Sequence, residues 1–530
     1  MKGGSRNRAR RGNAGRKHRA PEHAAGLPGR LRTWWNKPDG WTNKFLVNAV
    51  IGILIEVLIV RMFLNQDFPD QMQWLRNVGV DIVTRFKACG DASSSGRVAL
   101  AVPLVFIDVD ERTWASPHWG GGEPAEAPRD GLIGLLDFGL ARHVPTLVLD
   151  VLIDHAKPTA VDIDFAKNLQ AKLTTVEPSA PAASRPTQIV IVRDTTTPVS
   201  YLGEETTTFY ELPQVRPTPL DALMGADASR VVEAAPMFVQ SSIDRELRDW
   251  SLWEIVCRRS VSAPQGRVAV LPSVQLTALA SSGVAATRPV APWLRTDRPA
   301  CPSSTDLAGE AKLRRSLNDE MIEWLTPQPV FSGVKALAQL GPASLANRIV
   351  FRTGDTTTEV GRKFDNRSVI RLSALDVLER PQLVSRSLSD DEWRHAVVVI
   401  GQSHHAARDS YLTPLGDMPG AMVIINSVDS LARFGIPNES EWLDYVATTA
   451  SILISAYFVA KLTGLHGFLA SLVINIGLAG AALWAIGHGI WVDFMLPLLS
   501  MAVVEMADHV KHWYLELSES KEPHAKQHRK

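Results

Sequence analysis

The spacing of its long apolar stretches constrains this chain more than any other feature. A first stretch, 45–64, supplies the about 20 apolar residues that a helix needs to cross a hydrocarbon core. About 375 residues of mixed polarity follow, and a second apolar region runs from about Tyr445 to Met506. That region is too long for one helix. Lys461-Leu-Thr-Gly-Leu-His466 and Gly487-His-Gly489 are its natural breaks, because glycine and polar residues mark turns. They divide it into spans at 445–460, 467–486 and 490–507. The pattern predicts four transmembrane helices, one N-terminal and three C-terminal, around a large domain at 65–442. A short tail, 508–530, comes last and leaves no room for an output domain after the final span, so the output is expected to lie on a partner.

Charge sets the orientation. Residues 1–44 carry twelve Lys or Arg against Glu22 and Asp39, and basic residues beside a span stay in the cytoplasm. The N-terminus is therefore expected inside and the large domain outside. A signal anchor fits better than a cleaved signal peptide, since Arg61-Met-Phe-Leu-Asn-Gln66 lacks a small-x-small cleavage site. With four spans, Lys461, Lys511, Lys521 and Lys526 fall on the cytoplasmic side as well. Trp442, Trp484, Trp491 and Trp513 sit near span ends, where interfacial tryptophans belong. The net charge of zero, 56 basic against 56 acidic residues, averages a basic tail with a near-neutral body. The tail is predicted disordered and attractive to anionic membrane lipid. No aromatic residue interleaves its arginines before Trp34, so no nucleic-acid partner is expected. Cys89, Cys257 and Cys301 would share an oxidising compartment, where one disulfide would leave one thiol over. Spacing does not choose the pair.

Within 65–442 the short branched runs 102–109, 146–152 and 188–192 read as buried strands. An amphipathic helix from Asp130, its expected N-cap, to Arg142 separates the first two. A second helix at 162–173 precedes the third strand. Strand–helix–strand–helix–strand with apolar strands predicts an α/β fold, a mostly parallel sheet covered by helices on both faces. Further strands are expected at 267–271, 349–351 and 396–400, and a helix at 421–431. An irregular insertion is expected at about 174–235 and another loop at about 286–308.

Ligands of open parallel sheets bind beyond the carboxyl ends of the strands. Polar residues gather there: Asp108 and Asp110, Asp150 and Asp154, Arg193 and Asp194, and Gln402-Ser403-His404-His405. Their expected role is to line one ligand pocket. The competing structural reading is that strand ends always meet polar loops and that Asp often caps the next helix.

Several blocks in order carry a family likeness. Phe106-Ile-Asp-Val-Asp110 is followed by Pro128-Arg129-Asp130 and Leu147-Val-Leu-Asp150. Then come Ser241-Ser-Ile-Asp244-Arg-Glu-Leu-Arg248, Ser373-Ala-Leu-Asp376-Val-Leu378 and Val397-Val-Val-Ile-Gly401. Asp409, Thr413-Pro-Leu, Met418-Pro-Gly420 and Asn426 complete the set. The series, covering about 95–435, resembles the CHASE2 family of external sensory domains, as does the layout of one span before and three after. The middle block is similar to the family's Asp-x-Asp-Gly-x-x-Arg segment with the Gly absent, and Ile424-Ile425 replaces a His-Ala pair before Asn426. The resemblance implies a sensor in a bacterial inner membrane, multi-pass, with both termini cytoplasmic and the domain periplasmic or extracellular. It names no ligand. Arg129 offers a guanidinium fork to a carboxylate or phosphate, or alternatively an ion pair to Asp108 or Asp150. Thr413-Pro414 and Pro419-Gly420 would shape a loop ahead of a helix N-terminus, a natural anion site.

Catalytic readings are weak. Gly401-Gln-Ser-His-His405 lacks a nucleophile elbow, adjacent histidines make a poor metal pair, and His118-Trp-Gly-Gly-Gly122 lacks the ending of a phosphate loop. No enzyme activity, metal or cofactor is expected. In the membrane region Glu56 lies mid-span, where an ionisable group costs at least about 2.5 kcal/mol unless protonated or paired. Asn475 stands at similar depth, so the two are expected to couple the anchor to the bundle. The reading is a sensor that detects an external signal and passes it through its helices to a separate cytoplasmic or membrane partner, with self-association as a further expectation. The alternative is a docking subunit of an envelope or secretion assembly.

Overall fold

A computed structural model describes residues 41–64 and positions 78, 79, 81, 82, 84 and 85. From 102 to 491 it omits 123–126, 152–158, 177–185, 197–211, 216–229, 242–243, 261–262, 283–297, 303–306, 327–347, 353–368, 437, 440, 463–464 and 488–489. The chain divides into two units, and the larger, residues 61–448 with 476–496, holds the sheet.

Six strands form that sheet: β1 (Leu104–Val109), β2 (Thr146–Asp150), β3 (Gln188–Val192), β4 (Val231–Ala234), β5 (Val369–Ser373) and β6 (Val397–Gln402). Their order is β5-β1-β6-β2-β3-β4, and every neighbouring pair is parallel. Because side chains alternate along a strand, each strand feeds two cores. Val105, Ile107, Leu147, Leu149, Ile189, Ile191, Val398 and Ile400 share one with Leu132, Leu135 and Leu136 of α1 (Arg129–Ala141) and Leu169 of α2 (Ala160–Val176). Leu104, Phe106, Val148, Val190, Val397 and Val399 share the other with α3 (Val274–Ser282) and α4 (Gly420–Phe434). Burial on both faces is what makes these strands read as continuous apolar runs rather than alternating ones.

The expected α/β class and mostly parallel, helix-covered sheet are observed. Several details differ. Asp130 is not the cap of α1; Pro128 is, and Asp130 lies in the first turn, because proline sets the extended backbone that a helix entry needs. Residues 267–271 form part of Ala263–Pro272, which pairs antiparallel with Trp253–Ser260 in a separate sheet. Residues 349–351 are no strand. Ile349 N donates to the Arg248 carbonyl at 2.8 Å, and side chains of α4 hold the groups that follow, Val350 N donating to Ser430 Oγ at 3.0 Å and Arg352 N to Asn426 Oδ1 at 2.9 Å. Strand β4 lies inside the expected irregular insertion. Cys257 and Cys301 form the disulfide, with Cα atoms 5.9 Å apart; Cys89 lies outside the described residues.

Helices Trp41–Leu64, Glu441–Lys461 and Leu465–Gly487 cover the first three expected spans. Among the described residues, however, no helix is long and apolar enough to cross a membrane, so the four-span reading is not established. The fourth expected span lies outside the described residues except Ile490 and Trp491. So do residues 1–40 and 508–530 and the side chains of Glu56 and Asn475, while residues 41–44 of the tail expected to be disordered are helical.

Candidate functional site

Register places the polar row. Asp108 pairs with Gly401, and Gly401 with Asp150, across β1, β6 and β2. In a parallel sheet paired residues point to the same face, and adjacent strands lie about 4.8 Å apart. The two carboxyls therefore flank a position without a side chain, at the carboxyl edge, on the face that α4 covers. A Cβ at Gly401 would overlap that of Ala421, so glycine here lets the first turn of α4 approach the sheet.

On one side of Gly401 stands Asp108, 2 % exposed. Its Oδ2 accepts from Arg371 Nε at 2.9 Å, Arg371 Nη2 at 2.7 Å and Ser403 Oγ at 2.8 Å. Burial pushes its carboxyl above the usual range, opposed by the Arg371 charge and the Ser403 bond. Arg371 comes from edge strand β5, with its guanidinium 5.5 Å from the centre of the Phe106 ring. On the other side, burial drives Asp150 well above the ordinary carboxyl value, and the neighbouring Asp409 charge adds to it. Asp409 is likewise raised by burial, against hydrogen bonds from Tyr411 and the Gly420 backbone. The Tyr411 hydroxyl is pushed up in turn by burial, Asp409 and Asp150. Buried like charges of this kind favour their protonated forms.

The strand β7 (Ser410–Thr413) and its antiparallel partner β8 (Gly416–Pro419) make a hairpin that carries Tyr411 and leads into α4. Asp409 occupies the N-terminus of α4 that was expected to take an anion: Gly420 N donates to the Asp409 backbone oxygen at 3.1 Å, and a Cβ on Gly420 would overlap the Asp409 carboxylate.

The remaining expected site residues have other occupations. Asp110 caps the short helix Glu111–Trp114, accepting from Thr113 N at 2.8 Å and Thr113 Oγ1 at 2.7 Å. Arg129 pairs with neither Asp108 nor Asp150; its Nε donates to Asp162 Oδ1 at 2.8 Å and its Nη1 to the Ala127 carbonyl, joining α1 to α2. His404 stacks on Trp114 at 5.4 Å, and burial lowers its pKa. His405 is held to Glu111 Oε1, 2.7 Å from its Nδ1. Thr413 Oγ1 closes the hairpin turn on Gly416 O at 2.7 Å. Asn426 braces 352 and bonds Met422 O within its own helix. Asp154 lies outside the described residues. Thus the structure joins Asp108 with Ser403 and Asp150 with Asp409, and sets Asp110, Arg129, Thr413 and Asn426 to structural tasks. Arg371, Tyr411 and Trp114 were missed; an arginine inside the alternating run Val369-Ile-Arg-Leu-Ser373 was the available signal for the first.

The motif Asp244–Arg248 also finds a place. Arg248 bonds Asp244 at 2.8 Å, and Arg245, which stands where the family pattern has Gly, has φ 58°. That left-handed backbone is the conformation glycine favours.

The chain thus forms an open parallel α/β sheet, covered by helices on both faces, with a buried polar row at its carboxyl edge. The family model of the CHASE2 domain matches residues 49–460. The chain belongs to the CHASE2 family, a family of sensory domains. No curated protein and no solved structure matches it.

Proposed function

We propose that this protein is a membrane-anchored sensor that detects an external signal at the carboxyl edge of its parallel sheet. The signal passes through its helices to a separate partner protein. One observation carries the sensing site: Asp108 Oδ1 and Asp150 Oδ2 are buried and have no hydrogen-bond partner among the described residues. A buried acceptor left unpaired costs about 1–3 kcal/mol, and a ligand donor that reaches either oxygen removes that cost. We read the site as one that binds: the Ser403 hydroxyl donates a hydrogen bond to Asp108, whose carboxyl burial shifts toward its neutral, weakly basic form, and His404 stacks on Trp114.

Anchoring is supported by large apolar side chains that stay exposed: Leu54 and Val57 on Trp41–Leu64, and Val473, Ile476 and Trp484 on Leu465–Gly487. Such surfaces suit lipid. The disulfide fits an oxidising compartment such as the periplasm. Affinity isolation of the whole protein in mild detergent, with mass spectrometry of co-purifying proteins and small molecules, tests the reading. A stoichiometric protein with a cytoplasmic output domain supports it. Recovery with envelope or secretion subunits and no small molecule replaces it with the docking reading.

A further inference from the structure

The described positions 78, 79, 81, 82, 84 and 85 are helical and lie between Trp41–Leu64 and β1 in the chain. Asp81 and Thr84 are buried, 6 % and 3 % exposed, and Arg85 is exposed. Spacings of three and four place these three on one side of a helix. Each end of that side grips a different hairpin. Arg248 donates to Asp81 through Nε, at 3.1 and 3.0 Å, and through Nη2, at 2.7 Å. Arg248 belongs to the hairpin Phe238–Gln240 and Leu247–Trp250 and also bonds Asp244 and Glu246. Arg85 Nε donates to the Pro414 carbonyl at 2.7 Å, and Pro414 is in the turn between β7 and β8. Leu247–Trp250 packs against β7. The opposite end of the β7–β8 hairpin is where Tyr411 bonds Asp409, beside Asp150.

We infer that the helical segment at 78–85 is a relay, latched by Asp81 to Arg248 and by Arg85 to Pro414, which carries movement of the β7–β8 hairpin to the chain leading back to the N-terminal helix. The inference rests on reading Asp150, Asp409 and their neighbours as the sensing site. It assigns a task to the Asp244–Arg248 motif, which the site itself does not use. The Arg85 bond is the releasable half, since it joins an exposed side chain to one carbonyl. The Arg248 cluster is the fixed half, because three carboxylates share one buried guanidinium.

Amide hydrogen exchange on the full chain in detergent tests this without any ligand. Arg85→Gln and Asp81→Asn are each expected to speed exchange about three- to tenfold in both 78–85 and 410–419, leaving 146–150 unchanged. Tyr411→Phe, which cuts the bond at the far end of the hairpin, is expected to speed exchange at 78–85 as well. The relay is overturned if Tyr411→Phe alters 410–419 alone, or if Arg85→Gln alters 78–85 alone. A uniform rise that includes 146–150 also overturns it, since the contacts then serve only global stability. Failure to find a ligand would sink the sensing reading while leaving this coupling measurable.

Discussion

Replacing Arg371 by Met removes the guanidinium bonded to Asp108 and keeps an apolar stem over Phe106. The side chains of Asp108 and Arg371 are 3 % and 13 % exposed, so water does not take the place of the lost cation. Breaking a buried pair from one side costs about 3–5 kcal/mol. The Ser403 bond remains, which places the expected loss at pH 7 near the lower end, about 3 kcal/mol. The cost depends on pH in a defined direction. In the wild type, burial already holds Asp108 above its ordinary 3.8, so its contribution is full below 3.8 and falls as pH rises through the raised value. Without Arg371 that value climbs further, so the penalty of R371M is small in acid and grows toward neutrality. Asp108→Asn in the same chain is expected to recover most of the loss, because a neutral amide needs no cation. Urea unfolding of the four proteins of the double-mutant cycle, at pH 4.5 and pH 7 (both chosen as about the limits of convenient buffers), measures all of this. A loss under about 1 kcal/mol at pH 7, or one equal at both pH values, refutes the reasoning.

Arg245→Gly is expected to stabilise the fold by about 1 kcal/mol, since a side chain at φ 58° carries a steric cost that glycine lacks; a thermal shift to lower temperature would contradict it. Cys301→Ala opens a loop of 44 residues and is expected to cost about 2–4 kcal/mol, read as a lower denaturation midpoint under non-reducing conditions only. Asp150→Asn removes a carboxyl that burial and Asp409 hold well above 3.8. The wild type loses that stability as pH rises above the ordinary carboxyl range, so the variant's melting temperature should fall less with rising pH. An unchanged slope would show that another group titrates there.

Much of the fold was legible because its causes are local. The runs at 104–107, 147–149, 189–192 and 397–400 are apolar at every position, which is what two-sided burial demands. The helices at 129–141, 160–176 and 420–434 follow from apolar periodicity and from Pro128 and Pro419 as entries. The ends of these elements supplied Asp108, Asp150 and Ser403, and the family likeness supplied Asp409. Residue identity alone could not show which of their oxygens would find a partner and which would be buried without one. Asp110 and Asp108 stand two apart, yet one caps a helix and the other holds Arg371 from a strand 263 residues away. Short or interrupted runs failed for the same reason: 231–234 became a strand, and 349–351 did not, according to which backbone groups a neighbour satisfied.

By itself, the sequence determined that a parallel, doubly covered sheet forms and that its carboxyl edge is acidic, because strand burial is written along the chain as continuous apolar runs ending in polar loops and helix faces as a period of 3.6 residues. Only the tertiary structure decided that β6 inserts between β1 and β2, setting Asp108 and Asp150 on either side of Gly401. It also joined Arg129 to Asp162, Arg371 to Asp108 and Cys257 to Cys301. Those choices depend on crossovers between distant segments, and no local period encodes which distant strand will lie alongside.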